Sequence, residues 1–333
     1  MILVTGGTGL VGAHLLVELT KQHDKVRAIH RKNSNLDAVK KVFSYYFDEI
    51  DSFYSKIEWL EADITQTPSL ERAFVGVTYV YHCAALISFA SKDYQKMRKI
   101  NIEGTANIVN FSIVNYVKKL CFVSSIATLD KSFSNKIIDE NSDFNIEKSN
   151  YGYAITKYGA EMEVWRGTQE DLDVVIVNPG IILGSGFWNN GSGKFFSKIN
   201  KGLKYYTEGI TGYVGVKDLV KSMLKLMNSD IKNERFVLIS ENKSYEEVFN
   251  HISDQFDKKK PSVKVSKLMS EIIWRISKVP SFIFGIEPIL TKHSAKSIHN
   301  KYYFSNEKIK KAIGIKFEPL SETIKDVCRD FKN

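Results

Sequence analysis

The first half of the chain alternates short apolar runs with segments in which apolar residues recur at helical spacing. The apolar runs are rich in β-branched side chains and predict strands, as in MILVTG, KVRAIHR, KIEWLEAD, YVYHCAAL, KLCFVSSIA and LDVVIVNPG. Intervening segments such as LVGAHLLVELTKQ predict helices. Strands that alternate with helices pair in parallel through right-handed crossovers. The pattern therefore predicts an α/β fold with a doubly wound parallel sheet.

Beyond Gly180 this alternation is lost. The stretch GSGFWNNGSGKFF is rich in glycine and asparagine and predicts a loop that leads into a helix. RFVLIS predicts one further strand, and the chain after it is predicted to be mostly helical. We therefore expect residues 1–180 to form the main sheet domain. Residues 181–333 are expected to form a smaller, mostly helical region, with 213–240 returning to the main sheet.

Three glycines, Gly6, Gly9 and Gly12, lie between the first predicted strand and the first predicted helix. A tight turn, a close approach of backbone to ligand, and close packing of helix on strand each require a residue without a Cβ atom. The N–H groups at the start of the helix then face an anion, most naturally a pyrophosphate. The spacing therefore predicts a dinucleotide site.

The loop sequence TGGTGLVG resembles the TGxxGxxG loop of the extended short-chain dehydrogenase/reductase superfamily, the epimerase/dehydratase branch. EADIT, HCAAL and NIEGTAN extend the similarity, and FVSSIAT and GYVGVKDL are closest to the dihydroflavonol reductase and 3β-hydroxysteroid dehydrogenase group. The resemblance implies a Rossmann domain over 1–180, a substrate-binding region over 181–333 and a nicotinamide cofactor. With the loop, it implies cofactor contacts from Gly6, Thr8, Gly9, Leu10, Val11, Gly12, Asp63, Ile64, Ala84, Ala85, Pro179 and Gly180.

The end of the second predicted strand, VRAIHRKNSN, bears on the choice of cofactor. His30 takes the position at which NAD-preferring relatives carry an acidic residue for the ribose hydroxyls, and Arg31 and Lys32 follow it. A carboxylate there repels a 2′-phosphate, whereas a guanidinium binds one bidentately. We therefore expect contacts from Arg31 and Lys32 and NADP as the cofactor, with NAD as the alternative.

Tyr153 and Lys157, in YAITK, are four residues apart and so lie on one face of a helix. A free tyrosine titrates near pH 10. A neighbouring ammonium and an oxidised nicotinamide are expected to lower the pKa of Tyr153. The family resemblance adds Ser125, the second of the two serines in CFVSSIAT, as the residue that orients the substrate carbonyl. It also implies that both Tyr153 and Lys157 contact the cofactor, with Lys157 holding the nicotinamide ribose.

Neighbouring residues give alternatives to this catalytic group. Ser124 is the alternative to the second serine of the pair. Tyr151 and Tyr158 are excluded as the catalytic tyrosine because neither has a lysine four residues later. Asn178 ends the next predicted strand at the same edge of the sheet.

Three functions fit these motifs. We expect an NAD(P)-dependent oxidoreductase that transfers a hydride between the cofactor and a carbonyl or alcohol substrate, similar to a dihydroflavonol reductase. The alternatives are a nucleotide-sugar epimerase or dehydratase and a non-catalytic NAD(P)-sensing protein, which usually lacks the tyrosine or the lysine. Sugar enzymes usually carry an arginine–aspartate pair where this chain has Thr211 and Gly212. A basic stripe on a predicted helix could replace it, formed by Lys194, Lys198, Lys201 and Lys204.

The composition narrows the setting of the protein. The 333 residues carry a net charge of +9, but the lysines are scattered, so we expect no nucleic-acid partner. No apolar run is long enough for a membrane span. Cys83, Cys121 and Cys328 lack disulfide or metal-ligand spacing, so we expect no metal and a cytoplasmic setting. The expected partner is a small carbonyl or alcohol substrate. The sequence does not decide whether the protein forms a homodimer.

Overall fold

The computed structural model of the protein describes residues 1–131, 137–145, 152–284 and 291–332. The strands of this part of the chain are β1 (Ile2–Thr5), β2 (Val26–His30), β3 (Ile57–Glu61), β4 (Tyr79–His82), β5 (Lys119–Val123), β6 (Ile137–Ile138), β7 (Val174–Pro179), β8 (Ile181–Leu183), β9 (Tyr205–Tyr206), β10 (Ile210–Gly215), β11 (Glu234–Leu238), β12 (Glu241–Ser244), β13 (Val263–Lys264) and β14 (Tyr303–Phe304).

Seven of these strands form one parallel sheet in the order β11-β7-β5-β4-β1-β2-β3. The strand order reverses at β1 and β4, because β2 and β3 extend the sheet from β1 while β5, β7 and β11 extend it from β4. A reversal of this kind opens a crevice at the carboxyl ends of the strands, where ligands bind in open α/β sheets. The predicted doubly wound α/β fold is confirmed.

Helices cover both faces of this sheet. The described helices are α1 (Leu10–Gln22), α2 (Leu36–Phe43), α3 (Ile50–Tyr54), α4 (Thr67–Phe74), α5 (Tyr94–Met97), α6 (Gly104–Val114), α7 (Gly152–Thr168), α8 (Gly193–Asn200), α9 (Val216–Met227), α10 (Tyr245–Gln255), α11 (Lys267–Phe284), α12 (Lys292–Ser297), α13 (Glu307–Ile313) and α14 (Leu320–Lys332). None of them combines the length and the hydrophobicity needed to cross a membrane.

The apolar faces of these helices make two separate cores, one on each side of the sheet. On one side α1 and α9 bury side chains such as Leu16 and Met223 against the strands. On the other side α6 and α7 bury Val109 and Val164. Since both faces are covered, the strands are apolar on both sides, which explains their continuous apolar runs.

A smaller unit follows β7. β8, β10 and β12 form a three-stranded sheet, and α8, α10 and α14 contribute to an aromatic core beside it. Phe196 and Tyr213 have no exposed surface, and the ring of Trp188 meets the ring of Phe331 edge-on at 4.7 Å. β11 instead lies at the edge of the main sheet, paired with β7.

The predicted basic stripe is wrong because α8 is too short to carry it. α8 ends at Asn200, so Lys194 and Lys198 lie on the helix, whereas Lys201 is its C-cap residue and Lys204 lies beyond it. Gly202 ends the helix with a φ of +85°. The N–H of the next residue donates to the Lys198 carbonyl oxygen at 3.0 Å, a common helix-terminating arrangement at glycine.

Candidate active site

The glycine loop packs directly on the carboxyl ends of β1 and β4. Gly6 has a φ of +70°, and a Cβ atom on it would lie 2.6 Å from the backbone nitrogen of Ala84. A Cβ atom on Gly12 would lie 2.2 Å from the carbonyl oxygen of Gly6. The packing of the protein itself therefore requires glycine at both positions.

Gly9 differs from the other two glycines. A Cβ atom on it would meet only the Gly6 carbonyl oxygen among the described residues, at 3.5 Å. Gly9 is the N-cap residue of α1, whose described first turn has neither a side-chain cap nor an acidic residue. The open space beside Thr8 and the N–H groups of Leu10 and Val11 suit a bound pyrophosphate. A nicotinamide dinucleotide fits this cradle.

Arg31 and Lys32 follow β2 directly. Both are exposed, and neither forms an ion pair with a residue that the structure describes. The Arg31 N–H donates to Ser34 Oγ at 3.1 Å, and the Asn35 side chain caps α2. The turn thus has a fixed backbone, while two cationic side chains are available to a 2′-phosphate.

Asp63 is held by the turn that follows it, and Ile64 is held by the NIEGTAN segment. The Asp63 carboxylate accepts hydrogen bonds from the N–H and the hydroxyl of Thr65, both at 2.8 Å. The Asn107 amide donates to the Ile64 carbonyl oxygen at 2.9 Å. A Cβ atom on Gly104 would lie 2.7 Å from the Ile64 side chain. The two motifs therefore form one structural unit at the turn after β3.

A buried histidine anchors the HCAAL segment. His82 Nδ1 lies 2.6 Å from Thr5 Oγ1, and its Nε2 lies 2.9 Å from Thr105 Oγ1. Burial lowers the pKa of His82 to about 3, so the ring is neutral. Thr5 Oγ1 also accepts a hydrogen bond from the Ala84 N–H at 3.3 Å. Ala84 and Ala85 are thereby held beside the glycine loop.

Asn101 is a supporting residue that our sequence interpretation missed. Its side-chain oxygen accepts from the Leu86 N–H at 2.7 Å, and its amide nitrogen donates to the Leu86 carbonyl oxygen at 3.0 Å. The amide also donates to Oγ1 of Thr156, a residue of α7, at 3.1 Å. Its position as the first residue of NIEGTAN was the available signal. It links the loop after β4 to the helix that carries Tyr153.

Ser125, Tyr153 and Lys157 come together at the carboxyl ends of β5 and β7. Ser125 follows β5, and its side chain lies near enough to Tyr153, near the start of α7, to act on the pKa of that tyrosine. Lys157 is 1% exposed, and its Nζ donates to the Val123 carbonyl oxygen at 2.7 Å. The same ammonium lies 4.2 Å from the centre of the Phe122 ring. The three predicted side chains thus share one edge of the sheet.

The two titratable groups of this cluster shift in opposite directions. Burial raises the pKa of Tyr153 to about 12, although the hydrogen bond with Ser125 opposes the shift. Burial also lowers the pKa of Lys157 to about 7, against the attraction of Glu161. The ammonium of Lys157 alone does not lower the pKa of Tyr153, because the cost of desolvating a phenolate dominates. Tyr153 is held protonated.

The alternatives to these residues lie differently. Ser124 is 3% exposed and donates to the Glu161 carboxylate at 2.6 Å, so it points into the interior. Ser125 is half-buried. The ring of Tyr158 stacks on another aromatic ring at 4.5 Å. Tyr151 lies outside the described residues. The geometry therefore favours the second serine of the pair.

Pro179 and Gly180 end β7 beside the catalytic group, where the chain crosses to β8. A Cβ atom on Gly180 would lie 2.3 Å from the carbonyl oxygen of Gly212. A Cβ atom on Gly212 would lie 2.4 Å from a methyl carbon of Ile239. Position 212 therefore has no room for a side chain unless the side chain of Ile239 shifts, which disfavours the aspartate of the nucleotide-sugar pair there.

An apolar surface borders Tyr153. The ring of Phe89 lies 6.4 Å from the ring of Tyr153. Phe89 is 50% exposed and Ile87 is 58% exposed. Both belong to the loop after β4, whose first residues border the predicted cofactor site. Large apolar side chains at this degree of exposure favour an apolar ligand group beside them.

Comparison with known proteins gives consistent matches. The NAD-binding family model described as Male sterility protein matches residues 4–208. A putative dihydroflavonol 4-reductase of Synechocystis sp. is 24% identical, over 99% of this chain and 94% of that relative. The anthocyanidin reductase of Arabidopsis thaliana is 25% identical, over 77% of this chain and 80% of that relative.

Solved structures share the fold over the whole chain. The crystal structure of gox2253 has a TM-score of 0.83 and 26% identity, over 100% of this chain and 98% of that chain. A UDP-glucose 4-epimerase of Thermotoga maritima has a TM-score of 0.77 and 21% identity, over 99% of this chain and 98% of that chain. The second likeness extends to the fold alone.

Proposed function

The chain belongs to the Male sterility protein family of NAD-binding proteins and is an NAD(P)-dependent oxidoreductase, and we propose that it reduces a carbonyl group with Ser125, Tyr153 and Lys157. The matched family and the reaction class of the relatives confirm what the sequence motifs predicted. The observation that supports the assignment of residues is the convergence of these three side chains, with Ser125 near enough to Tyr153 to act on its pKa.

Each residue of the group has a separate task in the reduction. The carbonyl carbon would receive its hydride from a bound, reduced nicotinamide. Tyr153 donates its phenolic proton to the carbonyl oxygen, a role that suits a tyrosine held protonated. Ser125 donates a hydrogen bond to the same oxygen and orients it. Lys157 holds the nicotinamide ribose, and its positive charge stabilises the phenolate that remains.

The cofactor is proposed to lie along the crevice between β1 and β4. The pyrophosphate would contact the cradle, the adenine would lie near the turn after β3, and the nicotinamide would lie near the ends of β4 and β7. These contacts are assigned to Gly6, Thr8, Gly9, Leu10, Val11 and Gly12, then Asp63 and Ile64, then Ala84, Ala85, Pro179 and Gly180. Arg31 and Lys32 favour NADP over NAD because they are available to the extra phosphate.

The proposed substrate is an uncharged, partly apolar ketone or aldehyde. Ile87 and Phe89 support this class because they offer apolar surface beside Tyr153. Position 212 supports it as well, since the aspartate of the pair that sugar enzymes usually carry has no room there unless Ile239 shifts. The relatives named dihydroflavonol 4-reductase and anthocyanidin reductase agree with an aromatic carbonyl or related substrate.

A thermal-shift titration with NADP present, followed by an activity assay, tests this proposal. A ligand that binds only the folded state raises the melting temperature. We expect no shift with UDP or dTDP at micromolar concentration and NADPH oxidation with aryl or alicyclic ketones. A shift with either nucleotide, together with inactivity on every ketone, would instead assign the chain to the nucleotide-sugar enzymes. Binding of NADP with no turnover of either class would indicate the sensing protein.

The remaining proposals concern the setting of the enzyme. Residues 1–180 would bind the cofactor and 181–333 the substrate, with 213–240 reaching back to the main sheet through β11. A cytoplasmic location is supported by three unpaired cysteines. The absence of a nucleic-acid partner is supported by lysines that are already paired, such as Lys260 with Asp254 and Lys264 with Glu208. Light scattering would decide whether the protein is a homodimer.

A further inference from the structure

A buried carboxylate lies directly behind the proposed catalytic group. Glu161 is one helical turn after Lys157 on α7 and has no exposed surface. Its Oε2 accepts hydrogen bonds from Ser124 Oγ at 2.6 Å and from Thr128 Oγ1 and Asn178 Nδ2, each at 3.0 Å. None of the roles proposed above uses this carboxylate. Burying a charge costs free energy unless the charge is paired and hydrogen-bonded, as this carboxylate is.

An arginine on β11 neutralises the same carboxylate from the other side. Arg235 Nη1 donates to Glu161 Oε1 at 3.1 Å. The guanidinium also donates to the carbonyl oxygens of Glu140, at 2.8 Å, and Ser142, at 3.2 Å. Charge-assisted hydrogen bonds of this kind are the strong ones in proteins. Glu161 therefore joins α7 to β11 and to the segments that follow β5 and end β7.

We propose that Glu161 is a positioning residue for the catalytic group, an inference that rests on the proposed function. Its carboxylate fixes Ser124, the residue before Ser125, and also holds Asn178. The Asn178 amide in turn donates to the Ser125 carbonyl oxygen at 3.2 Å. Glu161 thereby places the backbone of the catalytic serine relative to α7. Its negative charge also stabilises the ammonium of Lys157 on the same helix.

The other groups that face Lys157 do not supply this charge. Cys83 and His82 face it from the end of β4, and burial raises the pKa of Cys83 to about 12 and lowers that of His82 to about 3. Both are therefore uncharged near neutral pH. Burial lowers the pKa of Lys157 to about 7, and Glu161 acts against this shift. Removal of the Glu161 charge is expected to lower it further.

The first test is the pH dependence of stability, measured without cofactor or substrate. The pKa of Lys157 is about 7 in the folded protein and 10.5 when unperturbed. Between these values the unfolded state binds more protons, so the free energy of unfolding should rise with pH from about pH 7. Glu161→Gln should start this rise about one pH unit lower. Lys157→Met should remove the rise that comes from Lys157, which would show that this residue causes it.

Glu163→Gln is the matched control, because Glu163 lies on the same helix and pairs with an arginine, Arg166, at 2.9 Å on the outer surface. It should keep the wild-type profile. If Glu161→Gln begins its rise at the wild-type pH, the proposal is wrong. If Glu161→Gln does not fold, the double variant Glu161→Gln/Arg235→Gln removes both charges and takes its place, with the same two outcomes.

The second test is kinetic and separates positioning from a merely structural role. Glu161→Gln should lower kcat/KM at pH 7 about fivefold and move its alkaline decline to lower pH, because less Lys157 is protonated. Glu161→Asp keeps the charge and should keep the decline at its wild-type pH. A loss of melting temperature in both variants with no movement of the decline would overturn the proposal. If the wild type reduces no ketone, the proposed function fails, while the stability profile still decides the role of Glu161.

Discussion

The two ends of the proposed active-site cleft, one assigned to the cofactor and one to the substrate, are built in different ways. At the cofactor end, the backbone segments approach so closely that a Cβ atom on Gly12 would lie 2.2 Å from a carbonyl oxygen. Polar side chains such as His82 and Asn101 hold the loops there through hydrogen bonds of 2.6–3.1 Å. At the substrate end, aromatic side chains such as Phe196 and Trp188 pack against one another.

This difference explains where a motif can be found. A close backbone approach or a hydrogen bond to a loop accepts one residue type at one position, so it leaves a recognisable pattern. An aromatic core needs volume and hydrophobicity, which many sequences supply. The reaction class can therefore be recognised from the cofactor end, whereas the substrate depends on the end without a pattern.

The largest effect at the cofactor end is expected from Tyr153→Phe. The change removes the proton donor and leaves the rest of the ring, so kcat should fall by about 10²–10⁴-fold. The dissociation constant of NADPH should stay within about twofold of the wild-type value. Tyr158→Phe is the control, because that tyrosine stacks on Phe144 away from Ser125. Similar, mild effects of both variants would show that Tyr153 is not the catalytic acid.

The next largest effect separates glycines that serve the fold from the one that serves the ligand. Gly12→Ala should lower the free energy of unfolding by about 3 kcal/mol, because its methyl group collides with the Gly6 carbonyl. Gly9 has a φ of −104°, which alanine adopts without strain. Gly9→Ala should therefore keep the stability within about 0.5 kcal/mol and weaken NADPH binding about tenfold.

Chemical denaturation and fluorescence titration measure these two quantities. The comparison fails if Gly9→Ala binds NADPH as tightly as the wild type, since the open space would then not hold the pyrophosphate. It also fails if Gly12→Ala is as stable as the wild type.

The same contrast sets how much could be predicted from the sequence. The parallel sheet, the glycine loop and the nicotinamide-dependent reaction class were predictable, because each rests on a local pattern. The assignment of the site residues stays a prediction, although the structure brings Ser125, Tyr153 and Lys157 together. Glu161 and Arg235 escaped notice because they meet only through the pairing of β7 with β11. Contacts between segments that are distant along the chain produce no recognisable spacing in the sequence.

Two differences between expectation and structure have the same origin. The basic stripe was inferred from lysines at helical spacing, but Gly202 ends α8 before the last of them. The lowered pKa of Tyr153 was expected from its lysine neighbour together with an oxidised nicotinamide, and the lysine alone does not offset the burial of the phenol. Both depend on the packing around a residue, which spacing along the chain does not report.

A smaller effect is expected from Arg31→Asp at the adenosine end. The change replaces a cation available to the 2′-phosphate with an anion that repels it, so NADPH should bind about tenfold more weakly. NADH has no such phosphate, and its affinity should not fall. Arg72→Asp, at an exposed position on α4, controls for the change in net charge. Both dissociation constants are measured at one salt concentration. If NADH binds wild type more than tenfold tighter than NADPH, or Arg31→Asp changes neither affinity, the preference for NADP is wrong.

The smallest effect is expected at the substrate end, from Phe89→Ala. Phe89 is 50% exposed beside Tyr153, so its truncation removes an apolar contact with the substrate and leaves the core intact. The KM for an aryl ketone should rise about fivefold, with kcat and NADPH binding little changed, because such a contact stabilises ground state and transition state alike. Tyr116→Ala, at a residue that is 90% exposed, is the control for loss of a surface aromatic.

Steady-state kinetics with a series of ketones of increasing apolar size sharpens the test, since the effect should grow with the size of the apolar group. An unchanged KM across the series would show that the substrate does not contact this loop, and the pocket would then have to be sought among the side chains of the smaller unit.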